Sequence, residues 1–128
     1  MLLLDTCTLL WLVGDQEQLS KTAKTQLAQN AGKLYVSAIS AFEIALKVEK
    51  KKLRLPKIPT EWFSLALKLH GIIEIPLSSE YLIKSAQLPL HHNDPADRMI
   101  VATALCEKAK IVTPDAHIKC YTEISVIW

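Results

Sequence analysis

Glycine is nearly absent: the 128 residues hold three, Gly14, Gly32 and Gly71, too scattered for a loop that cradles phosphate. Neither G-x-S-x-G nor H-E-x-x-H occurs, which excludes the common serine-hydrolase and zinc-protease signatures. The three cysteines, Cys7, Cys106 and Cys120, are odd in number and form no C-x-x-C pair, so reduced thiols are expected rather than disulfides or a zinc site. No apolar run reaches the ~18 residues of a membrane helix. The start Met1-Leu2-Leu3-Leu4 meets Asp5 without a basic leader, so neither a signal peptide nor a membrane partner is expected, and the chain reads as cytoplasmic. A net charge of +2 gives no global field of one sign. What is plentiful is apolar: 50% of the residues are hydrophobic, enough for one domain over residues 1–128 to build its own core.

Short apolar runs alternate with amphipathic stretches. Residues 2–4, 34–36, 72–75, 111–113 and 125–127 read as strands, and because they do not alternate polar with apolar they are expected to be buried on both faces. Residues 6–13, 21–30, 40–53, 60–70, 79–87 and 95–109 read as helices. Gly32 and Gly71 follow helices, Pro59-Thr60 and Ser79 precede them, and Asp94-Pro95 is an N-cap with proline in the first helical position. Strands separated by helices predict an α/β fold of three layers, a mostly parallel five-stranded sheet between helices. In such folds ligands bind beyond the carboxyl ends of the strands, where strand order reverses.

Acidic residues stand where a core is expected. Asp5 closes the first strand and Asp115 follows the fourth, although each alone reads equally as a turn former or helix N-cap. Glu43 lies four residues after Ile39 and three before Leu46, within the apolar stripe of its helix. The alternative is local: Ser40-Ala41-Phe42-Glu43 fits a capping box, with Glu43 bonding back to Ser40. Asp97 precedes Ile100 and Val101 on a second apolar stripe, or serves the helix dipole from the first turn. Together, four carboxylates converging at one mouth of the sheet repel one another unless a cation neutralises them. All-oxygen ligation suits Mg²⁺ or Mn²⁺, and such a centre hydrolyses phosphodiesters.

These residues carry a resemblance. The segments Leu2 to Trp11, Ser37 to Ala45, His91 to Ala102 and Ile111 to Asp115 resemble the four acidic motifs of the PIN-domain ribonucleases, and within them of VapC-type toxins of type II toxin–antitoxin systems. The resemblance implies a PIN-like fold, Asp5, Glu43, Asp97 and Asp115 as the metal-binding catalytic quartet, and RNA cut in single-stranded or loop regions. It implies a cognate VapB-like antitoxin and a homodimer. It also places Thr6 and Thr113 as hydroxyls orienting a carboxylate or water, Asp94 and Arg98 beside the third acid, one capping the helix and the other contacting phosphate or restraining a carboxylate, and His92 as a substrate contact. Cys7, Asn93 and Ala96 depart from the family's usual residues at positions that shape the pocket and hold no metal.

Lys47, Lys50, Lys51, Lys52, Arg54 and Lys57 crowd the end of the Glu43 helix. Alone the run reads as a solvated helix end; beside a nuclease site, Lys47, Lys50, Lys51 and Arg54 become candidates for the RNA backbone. Other readings are a receiver-like signalling module, a nuclease of DNA, and a PIN-fold protein that binds RNA or protein without cutting. The receiver lacks its phosphoacceptor here, since the middle strand ends Ile75-Pro76-Leu77.

Overall fold

The computed structural model describes all residues, Met1–Trp128. Five strands, β1 (Leu2–Leu4), β2 (Leu34–Ser37), β3 (Ile73–Ile75), β4 (Lys110–Val112) and β5 (Val126–Ile127), form one sheet in the order β3-β2-β1-β4-β5. All four pairings are parallel, and Leu4 faces Val36 on one side and Val112 on the other. The helices are α1 (Thr6–Val13), α2 (Lys21–Gln29), α3 (Ala38–Glu49), α4 (Pro59–His70), α5 (Ser79–Gln87), α6 (Pro95–Glu107) and α7 (Ala116–Lys119). No helix is long and apolar enough to cross a membrane.

The period of two along a strand splits the core into two layers. Leu2 and Leu4 join Leu9, Val36, Ile44, Trp62, Phe63 and Val112 on one face. Leu3 joins Ile100, Val101, Ile111, Ile118 and Tyr121 on the other. Burial on both faces, expected for every strand, holds for β1 but fails at β3: it is the sheet edge, and Ile73 is 49% exposed.

Three other expectations need correction. The Glu43 helix begins earlier, at Ala38 with Ser37 as its N-cap, and ends at Glu49 rather than Leu53. The stop is a Schellman turn: the Lys52 amide donates to Lys47 O, the Lys51 amide donates to Val48 O, and Lys51 takes the left-handed conformation at φ 57°. Helix α6 ends the same way at Lys108, φ 54°. The four-residue helix α7, absent from the sequence reading, starts where Asp115 caps the His117 and Ile118 amides.

The chain passes from β1 outward to β2 and β3, then returns to β4 on the far side of β1. Strand order therefore reverses beside β1. Asp5 at the end of β1, the start of α3 after β2, and Asp115 after β4 all reach that edge.

Candidate metal centre

Asp5 is 4% exposed and fully bonded. One carboxylate oxygen accepts the Thr8 amide at 2.9 Å, capping α1, and the other accepts the Thr113 hydroxyl. The Cys7 thiol lies against both oxygens at 3.3 and 3.4 Å. Burial and the charge of Asp5 push that thiol far up, so it stays protonated and donates. The cap and the inward acid are one residue: the two readings of Asp5 coexist.

The capping-box reading of Glu43 does not survive, because Ser40 lies inside α3 rather than at its N-cap. Glu43 instead accepts the Thr6 hydroxyl, which bonds the buried Ser40 hydroxyl at 2.9 Å. With the Thr6 proton given to Glu43, Ser40 donates to Thr6, and the relay fixes Glu43 from the floor of the site. Burial pushes the Glu43 carboxyl up, against the Thr6 bond.

Asp97 stands at the first turn of α6, behind Asp94, whose side chain caps the helix through the Ala96 amide at 2.9 Å. Glu43, Asp94 and Asp97 offer oxygens within 4.8 Å of one another, and His92, Asp97 and Asp115 form a second such group. Asp97 is common to both. Burial, then the nearby Glu43 and Asp94 charges, push it up to about 7.

Asp115 divides its oxygens. Oδ1 caps α7, taking the His117 amide at 2.7 Å and the Ile118 amide at 3.1 Å, while Oδ2 meets His92 Nε2 at 3.2 Å. Burial acts to raise its carboxyl, but the Ile118 amide, His92 and the His117 amide outweigh it and hold Asp115 below the ordinary value. Thr113 joins the two strand-end acids: its hydroxyl donates to Asp5 and accepts the Asp115 amide at 3.0 Å.

His92 was expected at the substrate, on a loop. The structure places it inside the acids, its Nε2 3.0 Å from Asp97 and 3.2 Å from Asp115. Nδ1 accepts the Asp94 amide at 3.0 Å, so the neutral ring carries its proton on Nε2, aimed at the two carboxylates. Arg98 was expected to contact phosphate or restrain a carboxylate. It restrains no carboxylate: the guanidinium donates to the carbonyls of Ser85, Leu88, Pro89 and His92 and to the Tyr121 hydroxyl, tying down the loop that presents His92.

The lysine run divides. Lys47, Lys50 and Lys52 line a cavity of about 420 Å³ that also includes Glu43 and Asp94, while Lys51, Arg54 and Lys57 line a different depression with Val48 and Glu61. Ser40, Tyr121 and His117, whose ring lies 5.2 Å from that of His92, join the site without having been expected there, and Cys7 joins it at the pocket position that the resemblance gives it. Ser40 carried a signal, its place on the same helix face as Glu43, one turn earlier.

The donor set fits a hard divalent cation. Its atoms are carboxylate oxygens; the one imidazole, His92, has Nδ1 occupied by the Asp94 amide and turns Nε2–H to the acids, and no lysine or arginine lies within 4.0 Å of a carboxylate. A parallel sheet with a cluster of acids at its switch point defines an α/β protein with a candidate cation centre. The PIN domain family profile matches residues 2–123, and the chain belongs to the PIN domain family. Within it, the chain is 30% identical over 120 residues to Ribonuclease VapC22 of Mycobacterium tuberculosis, covering 93% of this chain and 90% of that one. The fold is shared with VapBC2 from Rickettsia felis, solved on a DNA fragment from its promoter (TM-score 0.71, 17% identity, 98% of this chain and 96% of that one). It is shared equally with DNA-bound VapBC from Salmonella typhimurium (0.71, 16%, 98% and 95%) and with FitAcB from Neisseria gonorrhoeae (0.68, 22%, 98% and 96%).

Proposed function

We propose that the chain is a VapC-type endoribonuclease toxin that uses Mg²⁺ or Mn²⁺ to hydrolyse phosphodiester bonds in single-stranded or loop RNA, in the cytoplasm. One observation carries the reading: Asp97 shares a cation-sized cluster with Glu43 on one side and with Asp115 on the other, and no lysine or arginine lies within 4.0 Å of these carboxylates. Glu43, Asp97 and Asp115, backed by Asp5, would hold the ion. When bound, it supplies positive charge against the phosphate and lowers the pKa of the attacking water. The 30% identity to a named ribonuclease VapC supports RNA over DNA as the substrate.

The chain's own groups do the positioning. Thr6 and Ser40 set the Glu43 rotamer, and Thr113 ties Asp5 to the turn that carries Asp115. Asp94 starts α6 so that Asp97 meets Glu43. Burial and the neighbouring acids push the Asp97 carboxyl up to about 7, and a bound cation would favour its charged form. The partner is a cognate VapB-like antitoxin, supported by relatives solved as VapBC assemblies. A homodimer belongs to the same reading, and Leu69, Ile83 and Leu90 are exposed apolar surface available to it.

Induced expression of the chain in a bacterial host tests this. The expected result is growth arrest with discrete RNA fragments and intact DNA, all absent with Asp97→Asn at equal protein level. Arrest that persists in Asp97→Asn, or fragmented DNA with intact RNA, would contradict it.

A further inference from the structure

We infer that the cavity between α3 and the start of α6 seats an unpaired nucleobase of the RNA, stacked on Phe42, with the flanking phosphates on Lys47, Lys50 and Lys52. The inference rests on the nuclease reading and adds where the enzyme grips its substrate. The cavity, about 420 Å³, lies within the ~300–1,000 Å³ usual for small-ligand sites. Its wall is apolar, from Ile39, Phe42 and Leu46 on α3 and Met99 on α6. Glu43 and Asp94 belong both to this cavity and to the acidic cluster, so an occupant lies directly beside the reaction centre.

Phe42 is the distinguishing feature. Every other Phe, Trp and Tyr of the chain is buried or half-buried, whereas Phe42 is 59% exposed, on the turn of α3 that presents Glu43. An exposed aromatic beside an apolar wall offers a surface on which a splayed base can stack. Met99 opposite is unbranched and adapts to bases of different outline.

The charges select the occupant. Lys47, Lys50 and Lys52 have no carboxylate within 4.0 Å, so all three are free for phosphate. A second copy of the chain docked here across a two-fold axis would set three lysines against three lysines. A base adds no charge beside Glu43 and Asp94, and its phosphates meet the lysines.

The test titrates the full chain with adenosine and cytidine 5′-monophosphates and with ribose 5-phosphate, reading the methyl NMR signals of Ile39 and Met99. The nucleotides are expected to shift both methyls saturably, and ribose 5-phosphate to leave them in place. Phe42→Ala is expected to weaken the nucleotides by about 5- to 150-fold, and Phe42→Trp to retain them. No saturable shift, or an equal response to ribose 5-phosphate, overturns the seat. Metal-dependent RNA cleavage separates the two readings. Wild type that cleaves, with Phe42→Ala equal to it in kcat/KM, removes the seat and leaves the nuclease. Wild type that does not cleave removes the nuclease, while the titration still decides the seat. A dimer that dissociates in Phe42→Ala with nucleotide affinity unchanged assigns the face to protein and overturns the proposal.

Discussion

Burial, and then the Glu43, Asp94 and Asp115 charges around it, raise the Asp97 carboxyl to about 7, above the ordinary 3.8. A raised acid binds more protons folded than unfolded between those values, so its contribution to stability is present below about 4 and is lost as pH rises to about 7. A divalent ion reverses the sign by stabilising the charged form. Mg²⁺ or Mn²⁺ should therefore raise the melting temperature more at pH 8 than at pH 6, and calorimetry should register protons released on binding at pH 6. Asp97→Asn removes the charge and the effect together: the metal-free protein at pH 8 should melt a few degrees higher, lose its metal-induced shift and cut nothing. Thr113→Val should leave the fold intact and lower cleavage by about 10- to 100-fold, because Asp5 and Asp115 lose the hydroxyl that joins them. The gathering of Glu43, Asp97 and Asp115 at one mouth was legible because Glu43 and Asp97 interrupt apolar stripes and Asp115 follows a strand, whereas Asp5, also at a strand end, lies outside both cation-sized groups. The place of His92 was not, since it depends on a loop held by Arg98 contacts that no local pattern encodes.

The ends of elements explain where sequence and structure part. Helices α3 and α6 stop at Lys51 and Lys108, lysines in the left-handed conformation where glycine is the usual signal, so the sequence reading ran both helices on. Helix α4, which does end in a left-handed glycine, Gly71, was bounded correctly at that end. A β-carbon there is strained, and Lys51→Gly and Lys108→Gly should each stabilise by about 0.5–1 kcal/mol in chemical denaturation. The early end of α3 also decides which cations face the site: Lys47, Lys50 and Lys52 remain beside Glu43, and Lys51 turns away with Arg54. At the other wall, Arg98 spans α5, the loop of residues 88–92 and Tyr121. Arg98→Lys should cost about 2–3 kcal/mol, since one ammonium cannot reach five acceptors, and amide exchange at residues 89–94 should quicken more than elsewhere.

At the scale of the whole molecule, reversal of strand order beside β1 sets the ends of β1 and β4 and the starts of α3 and α6 around one mouth. Negative charge gathers there and positive charge on one side of it, although the net charge is only +2. RNA affinity should then fall with salt. Lys47→Gln, Lys50→Gln and Lys52→Gln should each reduce the slope of log affinity against log salt by about 0.7, whereas Lys51→Gln, Arg54→Gln and Lys57→Gln should change it little. The central claim is that the acids form one cation centre that cuts RNA. Purified chain freed of antitoxin, incubated with total RNA and Mg²⁺ or Mn²⁺, tests it most directly by mapping of new ends. The account predicts discrete cuts that vanish with chelator and in Asp97→Asn. Cuts that persist with chelator, or a folded wild type that leaves RNA whole with either metal, would contradict it.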